Sequence, residues 1–344
     1  MHHGTLILMK RALALTLVSF LSASCLAEQH PGAEEFAARA AAEPEWNAQE
    51  ILELLQEARF KKSIVKAISR PAEAKPWYEY RPIFITDKRI DGGVEFWREN
   101  EALVAQASEQ FGVDPQIIVA IIGVETFYGR ITGGYRVLDA LATLSFYYPD
   151  TGNDRSEFFS RELMQFMLLG DEEGLPLREV TGSYAGAMGL GQFMPSSYRE
   201  YAVDLDGDTR RDLWSSMPDI IGSVANYLHR HGWQPGRPVV RPARVAPDAD
   251  MSLVPRRDFK PQKTLAELEA AGFAIDAPAS GANQAEQSGE GGDRVTVVRL
   301  EEEDGDRYWV AFENFYVITR YNRSPLYAMA VFELSEAIRA GFGE

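Results

Sequence analysis

The chain has 344 residues, 45% hydrophobic and 25% charged, which suits a soluble globular protein of about two domains or one domain with large additions. A formal net charge of −16 and a sequence pI near 4.9 argue against nucleic acid as the main partner, since no basic patch offsets the deficit. Cys25 is the single cysteine, so the folded part has neither a disulfide nor a thiolate metal site.

The first 27 residues read as an export signal. Lys10 and Arg11 precede an apolar run from Ala12 to Leu21, and the small residues Ser22, Ala23 and Ser24 lead to Cys25. The run is too short to span a membrane beside a folded flank. Cleavage before Cys25 leaves a lipidated cysteine, and cleavage after Ala27 releases a soluble protein. Ser22 stands where bacterial lipoprotein signals usually place Leu, and lipidation is kept as the slightly favoured route. Export without disulfides suggests a bacterial envelope protein.

Helical spacing runs in two phases from Trp46 to Ser69 and ends at Arg70-Pro71. The segment through Trp77, Tyr78, Tyr80 and Pro82 is expected to be extended. One helix is expected from Gly93 to Gln110, with Gly112 as its stop.

Asp114-Pro115 opens the next helix, because Asp can accept from free amides and Pro has no donor to lose. Ile117 to Ile122 and Val124 are apolar, and Glu125 shares a face with Ile118, Ile121 and Ile122. A helix apolar on nearly all sides is buried, so its terminal carboxyl is carried to the edge of the core. There a carboxyl holds its proton more tightly, as a general acid must, and an ion pair with Arg130 is the equal rival.

Val137 to Tyr147 and Glu157 to Leu169 read as helices stopped at Pro149 and Gly170. Four glycines in ten positions from Gly182 to Gly191 point to a backbone approached closely by a ligand, by a crossing helix, or by both. Pro195 starts a short helix to about Ala202, and Met217-Pro218 starts another running to Gly232.

Between them lies an acidic loop with the layout of a calcium hand. Asp204, Asp206 and Asp208 stand at positions 1, 3 and 5, the Arg210 carbonyl at 7 and Asp212 at 9. Thr209 replaces the usual Gly and Ser215 the bidentate Glu, with Asp219 as a later carboxylate within reach. A solvated capping turn is the alternative.

Val239 to Pro261 reads as extended chain, and Thr264 with Glu267 as a capping box for a helix ending at Gly272. Residues 277–293 look like a flexible surface loop. Arg294 to Leu300 and Tyr308 to Phe312 form a hairpin through Asp304-Gly305, with Phe315 to Ile318 expected to pair beside it. Ser324-Pro325 opens a closing helix.

The segments GVETFYGR, LDALATLSFYYP, GSYAGAMGLGQFMPSSYREYAVD, IGSVANYLHRHGW and NFYVITRYN strongly resemble the lytic murein transglycosylase B family of the lysozyme superfamily. The similarity runs from about Trp97 to the C-terminus, outside the Gly/Ser-rich insertion. It implies an α+β, mostly helical fold: a lysozyme-like catalytic core with an EF-hand-like loop, a helical region from both chain ends and a small antiparallel β region. The expected divisions are 28–112 for the N-terminal helical region, 113–235 for the core, 236–322 for the β region and 323–344 for the C-terminal helix.

The resemblance further implies cleavage of the β-1,4 bond between N-acetylmuramic acid and N-acetylglucosamine without water, closing a 1,6-anhydro ring. It assigns Glu125 as acid and then base, and Ser183, Gln192, Tyr321, Asn322 and Tyr327 as sugar-binding or intermediate-stabilising residues. Any one of these tyrosines could instead be core, and Ser183 could merely cap a turn. No cofactor is required for the chemistry, and a structural calcium ion is the candidate ligand of the acidic loop. Expected partners are peptidoglycan strands and other cell-wall enzymes, with no nucleic acid and no membrane contact except through a lipid anchor, for a monomer of the periplasm. A hydrolytic muramidase on the same fold and a non-catalytic glycan-binding scaffold are the competing readings.

Overall fold

The computed structural model describes residues 30–42, 46–70, 75–275 and 293–343. The export signal, Cys25 and residues 277–292 of the expected surface loop lie outside the described residues.

Helix α7 (Pro115–Thr126) is the axis of the fold, with every residue from Ile117 to Val124 buried. Around it pack α5 (Asp87–Glu99), α6 (Glu101–Phe111), α11 (Met217–Arg230) and the closing helix α14 (Pro325–Phe342). Asp114 occupies the N-cap position of α7 but makes no side-chain cap. Its carboxylate instead accepts from the Trp233 indole at 3.0 Å, tying the start of α7 to the segment after α11.

The expected two-phase segment forms α2 (Ala48–Glu57) and α3 (Lys62–Ile68), preceded by α1 (Ala33–Ala40). Arg136 and the buried Asp139 fasten it to the core: Asp139 accepts from the Arg59 amide at 2.8 Å, and Arg136 donates to the Glu57 carbonyl at 2.7 Å. Asp139 lies in α8 (Val137–Phe146), which packs on α9 (Ser156–Glu173). Gly170 does not end α9; the chain turns at Gly174, whose φ is 64°.

Three further expectations are corrected. Residues Trp77–Phe84 are a helix, α4, and not extended. Pro82 inside it costs about 3 kcal/mol, while burying Trp77 and Tyr80, each 1% exposed, contributes roughly 2 kcal/mol or more apiece. The single helix expected from Gly93 to Gln110 is split between α5 and α6 at Asn100, whose amide side chain donates to the Phe96 carbonyl at 2.8 Å and closes α5. The run Phe315 to Ile318 belongs to α13 (Glu313–Tyr321), not to a strand. It buries Asn314, Phe315, Val317 and Ile318, and Asn314 exchanges hydrogen bonds with both backbone groups of Gln234.

The β region is an antiparallel sheet of β3 (Val240–Val245), β4 (Lys263–Thr264), β5 (Phe273–Ile275), β6 (Arg294–Glu302) and β7 (Gly305–Ala311). Its spatial order is β4-β6-β7-β3-β5, and the β6–β7 hairpin closes with Glu302 opposite Gly305. The Thr264–Glu267 capping box is present and opens α12 (Leu265–Ala270). Leu268, Phe273, Val295, Val297, Val310 and Phe312 form the small apolar core of this sheet. Among the described residues no helix is long and apolar enough to cross a membrane.

Candidate active site

Glu125 stands on the last turn of α7, where the apolar helix reaches the surface of the core. The chain leaves that turn abruptly, since Phe127, Tyr128 and Gly129 all take left-handed φ values of 52°, 58° and 82°. Two successive non-glycine residues in this region are strained and persist only when their surroundings hold them. The Tyr128 hydroxyl donates to the Arg89 carbonyl at 2.8 Å, and its ring fills a slot left by glycines. A Cβ at Gly93 or Gly123 would come within 2.5 Å of the Tyr128 hydroxyl. Thr126 fixes the same turn from inside, its hydroxyl lying 3.0 Å from the Leu190 carbonyl and accepting from the Gly129 amide at 3.1 Å.

The Tyr327 hydroxyl donates to Glu125 Oε1 at 2.6 Å. Tyr327 is on the first turn of α14, where the Ser324 hydroxyl accepts from its amide. The Tyr321 ring stacks parallel to it with centroids 6.5 Å apart, and the Tyr321 hydroxyl donates to the Gly191 carbonyl at 2.6 Å. Tyr227 of α11 packs against Tyr321 at 4.7 Å and donates to the Arg320 carbonyl. Burial raises the proton affinity of Tyr321 and Tyr327 well above that of a free phenol, and the charge of Glu125 adds to it. Both phenols therefore remain donors. Arg130, the alternative ion-pair partner for Glu125, lies 3.6 Å from Glu95 instead.

The glycine-rich stretch is not a helix. It folds from the two-residue ribbon of β1 (Tyr135–Arg136) and β2 (Thr181–Gly182) into turns bridged at Gly182–Met188 and Met188–Phe193. A Cβ on Gly133 would collide with the Gly182 carbonyl, so here the glycines permit backbone to cross backbone. Ser183 Oγ accepts from the Ala185 and Ala187 amides at 3.3 and 3.0 Å, a turn-forming role that leaves its own proton to donate. Gln192, with φ 50°, donates to the Gly189 carbonyl at 2.8 Å and to Thr132, in the loop after Glu125, at 3.2 Å. Asn322 follows α13 directly, placing it between Tyr321 and the start of α14.

The structure thus gathers Glu125, Tyr321 and Tyr327 through direct contacts, and links Gln192 to them through Thr132 and Gly191. Tyr227 and Tyr128 also belong to this arrangement. The signal that could have found Tyr128 is a glycine pair inside α5 and a glycine inside α7, unfavourable for helices unless another group comes close.

Between α10 (Pro195–Tyr201) and α11 the acidic loop draws together Asp204, Asp206 and Asp219, whose carboxylate oxygens lie within 4.8 Å of one another. Asp208 and Asp212 are not in that cluster. Asp208 accepts from the Arg210 amide, and Asp212 from the Trp214 and Ser215 amides, so both shape turns. Asp219 is buried, and burial raises its proton affinity against the opposing pull of the Asp212 and Leu205 amides. An all-oxygen set with a buried carboxylate held by its second helix suits a hard cation such as calcium.

A glutamate at the rim of a buried helix, held by a tyrosine beside a glycine-rich segment, is a candidate acid, and the comparisons with known proteins give the class. A family model for the transglycosylase SLT domain matches residues 28–336. The chain is 41% identical over 320 residues to membrane-bound lytic murein transglycosylase B of Escherichia coli (strain K12), a match covering 90% of this chain and 83% of that protein. The crystal structure of soluble lytic transglycosylase SltB1 from Pseudomonas aeruginosa matches with a TM-score of 0.80 at 46% identity, covering 91% of this chain and 100% of that one. Escherichia coli lytic transglycosylase Slt35 in complex with calcium matches with a TM-score of 0.77 at 39% identity, covering 92% and 95%. SltB3 from Pseudomonas aeruginosa in complex with NAG-NAM-pentapeptide has a TM-score of 0.75 at 28% identity, covering 90% and 79%. The chain belongs to the lytic transglycosylase family and is a peptidoglycan-cleaving enzyme of the lyase type.

Proposed function

We propose that Glu125 is the acid and then the base of a cleavage in which the substrate supplies its own nucleophile. The observation that carries this reading is the 2.6 Å hydrogen bond from Tyr327 to one oxygen of Glu125 at the end of a buried helix. With that oxygen held, the other carries the proton to the glycosidic oxygen between muramic acid and N-acetylglucosamine. The C1–O bond breaks, the electron pair leaves with the glucosamine oxygen, and positive charge develops at C1. The muramic C6 hydroxyl attacks C1 and passes its proton to the carboxylate left by the first step. The product is a 1,6-anhydro ring, and Glu125 ends protonated as it began.

Most glycosidases need a second carboxylate to act as nucleophile or base. Among the described residues the fully buried carboxylates are Asp139, Glu162 and Asp219, and each holds backbone amides elsewhere in the fold. Ser183, Gln192, Tyr321 and Asn322 are read as the groups that meet sugar hydroxyls, acetamido groups and ring faces.

Asp204, Asp206 and Asp219 would hold calcium, with Asp208, the Arg210 carbonyl and Asp212 shaping the loop or joining the ligand set as it closes. The ion would pin α10 to α11 and take no part in proton transfer. An enzyme acting on the wall belongs in the envelope, and we place it in the periplasm, tethered to the outer membrane through Cys25. Mass spectrometry of products from purified peptidoglycan tests the reaction: anhydro ends support it, and reducing muramic ends would assign a hydrolase.

A further inference from the structure

Phe127 and Tyr128 leave α7 with φ of 52° and 58°, a region that bulky side chains rarely take, and one residue of another helix touches both. That residue is Arg89, in the first turn of α5, where its amide donates to the hydroxyl of the N-cap residue Thr86 at 3.3 Å. Its carbonyl accepts from the Tyr128 hydroxyl at 2.8 Å. Its guanidinium carbon stands 4.9 Å from the centroid of the Phe127 ring.

The same guanidinium reaches back to α4. Its NH1 nitrogen donates to the Ile83 carbonyl at 2.7 Å, and its carbon is 5.2 Å from the Phe84 centroid. Arg89 therefore joins the end of α4 to the turn after α7. Among the described residues no carboxylate pairs with it, and its Nε is buried without a hydrogen-bond partner. Burial also pulls its proton affinity below the usual value. A half-buried cation without a counter-charge costs stability, and a side chain chosen for packing alone would be apolar. Arg130 and Lys88 approach the Phe127 ring as well, at 4.9 and 5.8 Å, but both are exposed and Arg130 is paired with Glu95.

We propose that Arg89 is a positioning residue for the reaction. Its carbonyl holds Tyr128, its guanidinium holds Phe127, and together they keep the end of α7 in the conformation that presents Glu125 to Tyr327 and to the glycosidic oxygen. The proposal rests on the reading of Glu125 as the acid. Arg89 acts through the turn and not on the sugar. Without its guanidinium Phe127 is free to leave the left-handed region, and Glu125 is correctly placed only part of the time. The value of kcat follows that fraction, whereas KM, set by binding of the strand, does not.

The test measures kcat and KM on purified peptidoglycan for wild type, Arg89→Met, Arg89→Lys, Phe127→Leu and the double variant Arg89→Met/Phe127→Leu. Melting curves set a temperature at which each is folded. Arg89→Met should lower kcat about tenfold and leave KM within about twofold of wild type. A tenfold loss is about 1.4 kcal/mol, in the range of a partly desolvated cation over an aromatic ring. Arg89→Lys, which keeps a cation near the ring, should recover part of the loss. The double variant should be no slower than the slower single variant, because both substitutions break one contact. A kcat for Arg89→Met within about twofold of wild type overturns the proposal. So does a loss carried by KM, or a double variant whose loss is the product of the two single losses. Should Arg89→Met fail to fold, Arg89→Lys takes its place in the cycle and the same product rule decides. Glu125→Gln measured alongside separates the two claims. Full turnover in Glu125→Gln would overturn the reading of Glu125, whereas an inactive Glu125→Gln beside a fully active Arg89→Met would overturn the role of Arg89 alone.

Discussion

The hydroxyl of Tyr327 donates to Oε1 of Glu125 across a sequence separation of 202 residues, so the proposed acid is held by the first turn of the closing helix. Tyr327→Phe keeps the ring and removes the donor. A hydrogen bond to a charged group contributes about 1.5–3 kcal/mol, so kcat should fall roughly 10- to 100-fold. The basic limb of the pH profile should move up as the carboxylate loses its donor, while KM changes little. An unchanged kcat and profile would mean that Tyr327 serves packing alone.

The strained turn after Glu125 depends on the slot that receives Tyr128. Gly123→Ala places a Cβ 2.5 Å from the Tyr128 hydroxyl, and overpacking of this kind costs about 1–3 kcal/mol. The variant should melt lower and lose activity more steeply than an equally destabilising change in the small β-region core, because the displaced ring adjoins residue 127. Equal losses of activity at equal losses of stability would disconnect the turn from catalysis.

Glu162 is buried against α10, where it accepts from the Ser196 amide at 2.9 Å and the Ser196 hydroxyl at 2.7 Å. Burial raises its proton affinity, and the Ser196 bonds oppose that rise only in part. An acid whose folded pKa is raised contributes stability that is fully present below its unfolded pKa and is lost as pH rises through the folded value. Glu162→Gln has no such term, so its melting temperature relative to wild type should be more favourable at pH 8 than at pH 5. The opposite ordering would show that the ionised form is the one the fold favours. Glu162→Ala leaves the Ser196 amide without its acceptor and should cost about 1–3 kcal/mol at either pH.

Calcium at about one hundred times its dissociation constant should stabilise the wild type by roughly 2.7 kcal/mol, read as a rise in melting temperature of a few degrees. Asp204→Ala and Asp219→Asn should abolish the rise, and Asp208→Ala should reduce it less. The absence of any calcium-dependent shift in wild type would remove the metal site.

Much of this architecture can be read from local pattern. The capping box at Thr264 and Glu267, the Ser324-Pro325 start and the Asp304-Gly305 turn each act within a few residues, and each occurs where its chemistry places it. Residues 77–84 and 313–321 escape such reading. In both, the burial of a few large side chains against distant elements outweighs what Pro82 or the β-prone run Phe315 to Ile318 would choose alone. The same limit governs the site. Glu125 stands out as a carboxyl in an apolar run, but its donor is 202 residues away, and no spacing rule encodes that meeting. Asp219, by contrast, follows the loop closely enough to be read from the sequence as a carboxylate within reach, and it does join Asp204 and Asp206.

Mass spectrometry of the soluble fragments released from purified peptidoglycan, with wild type and Glu125→Gln side by side, tests the catalytic claim most directly. Wild type should release muropeptides ending in 1,6-anhydro-muramic acid, lighter by one water than their hydrolysed counterparts, and Glu125→Gln should bind the same strands and release none. Reducing muramic ends from wild type, or anhydro products from Glu125→Gln at the wild-type rate, would contradict it.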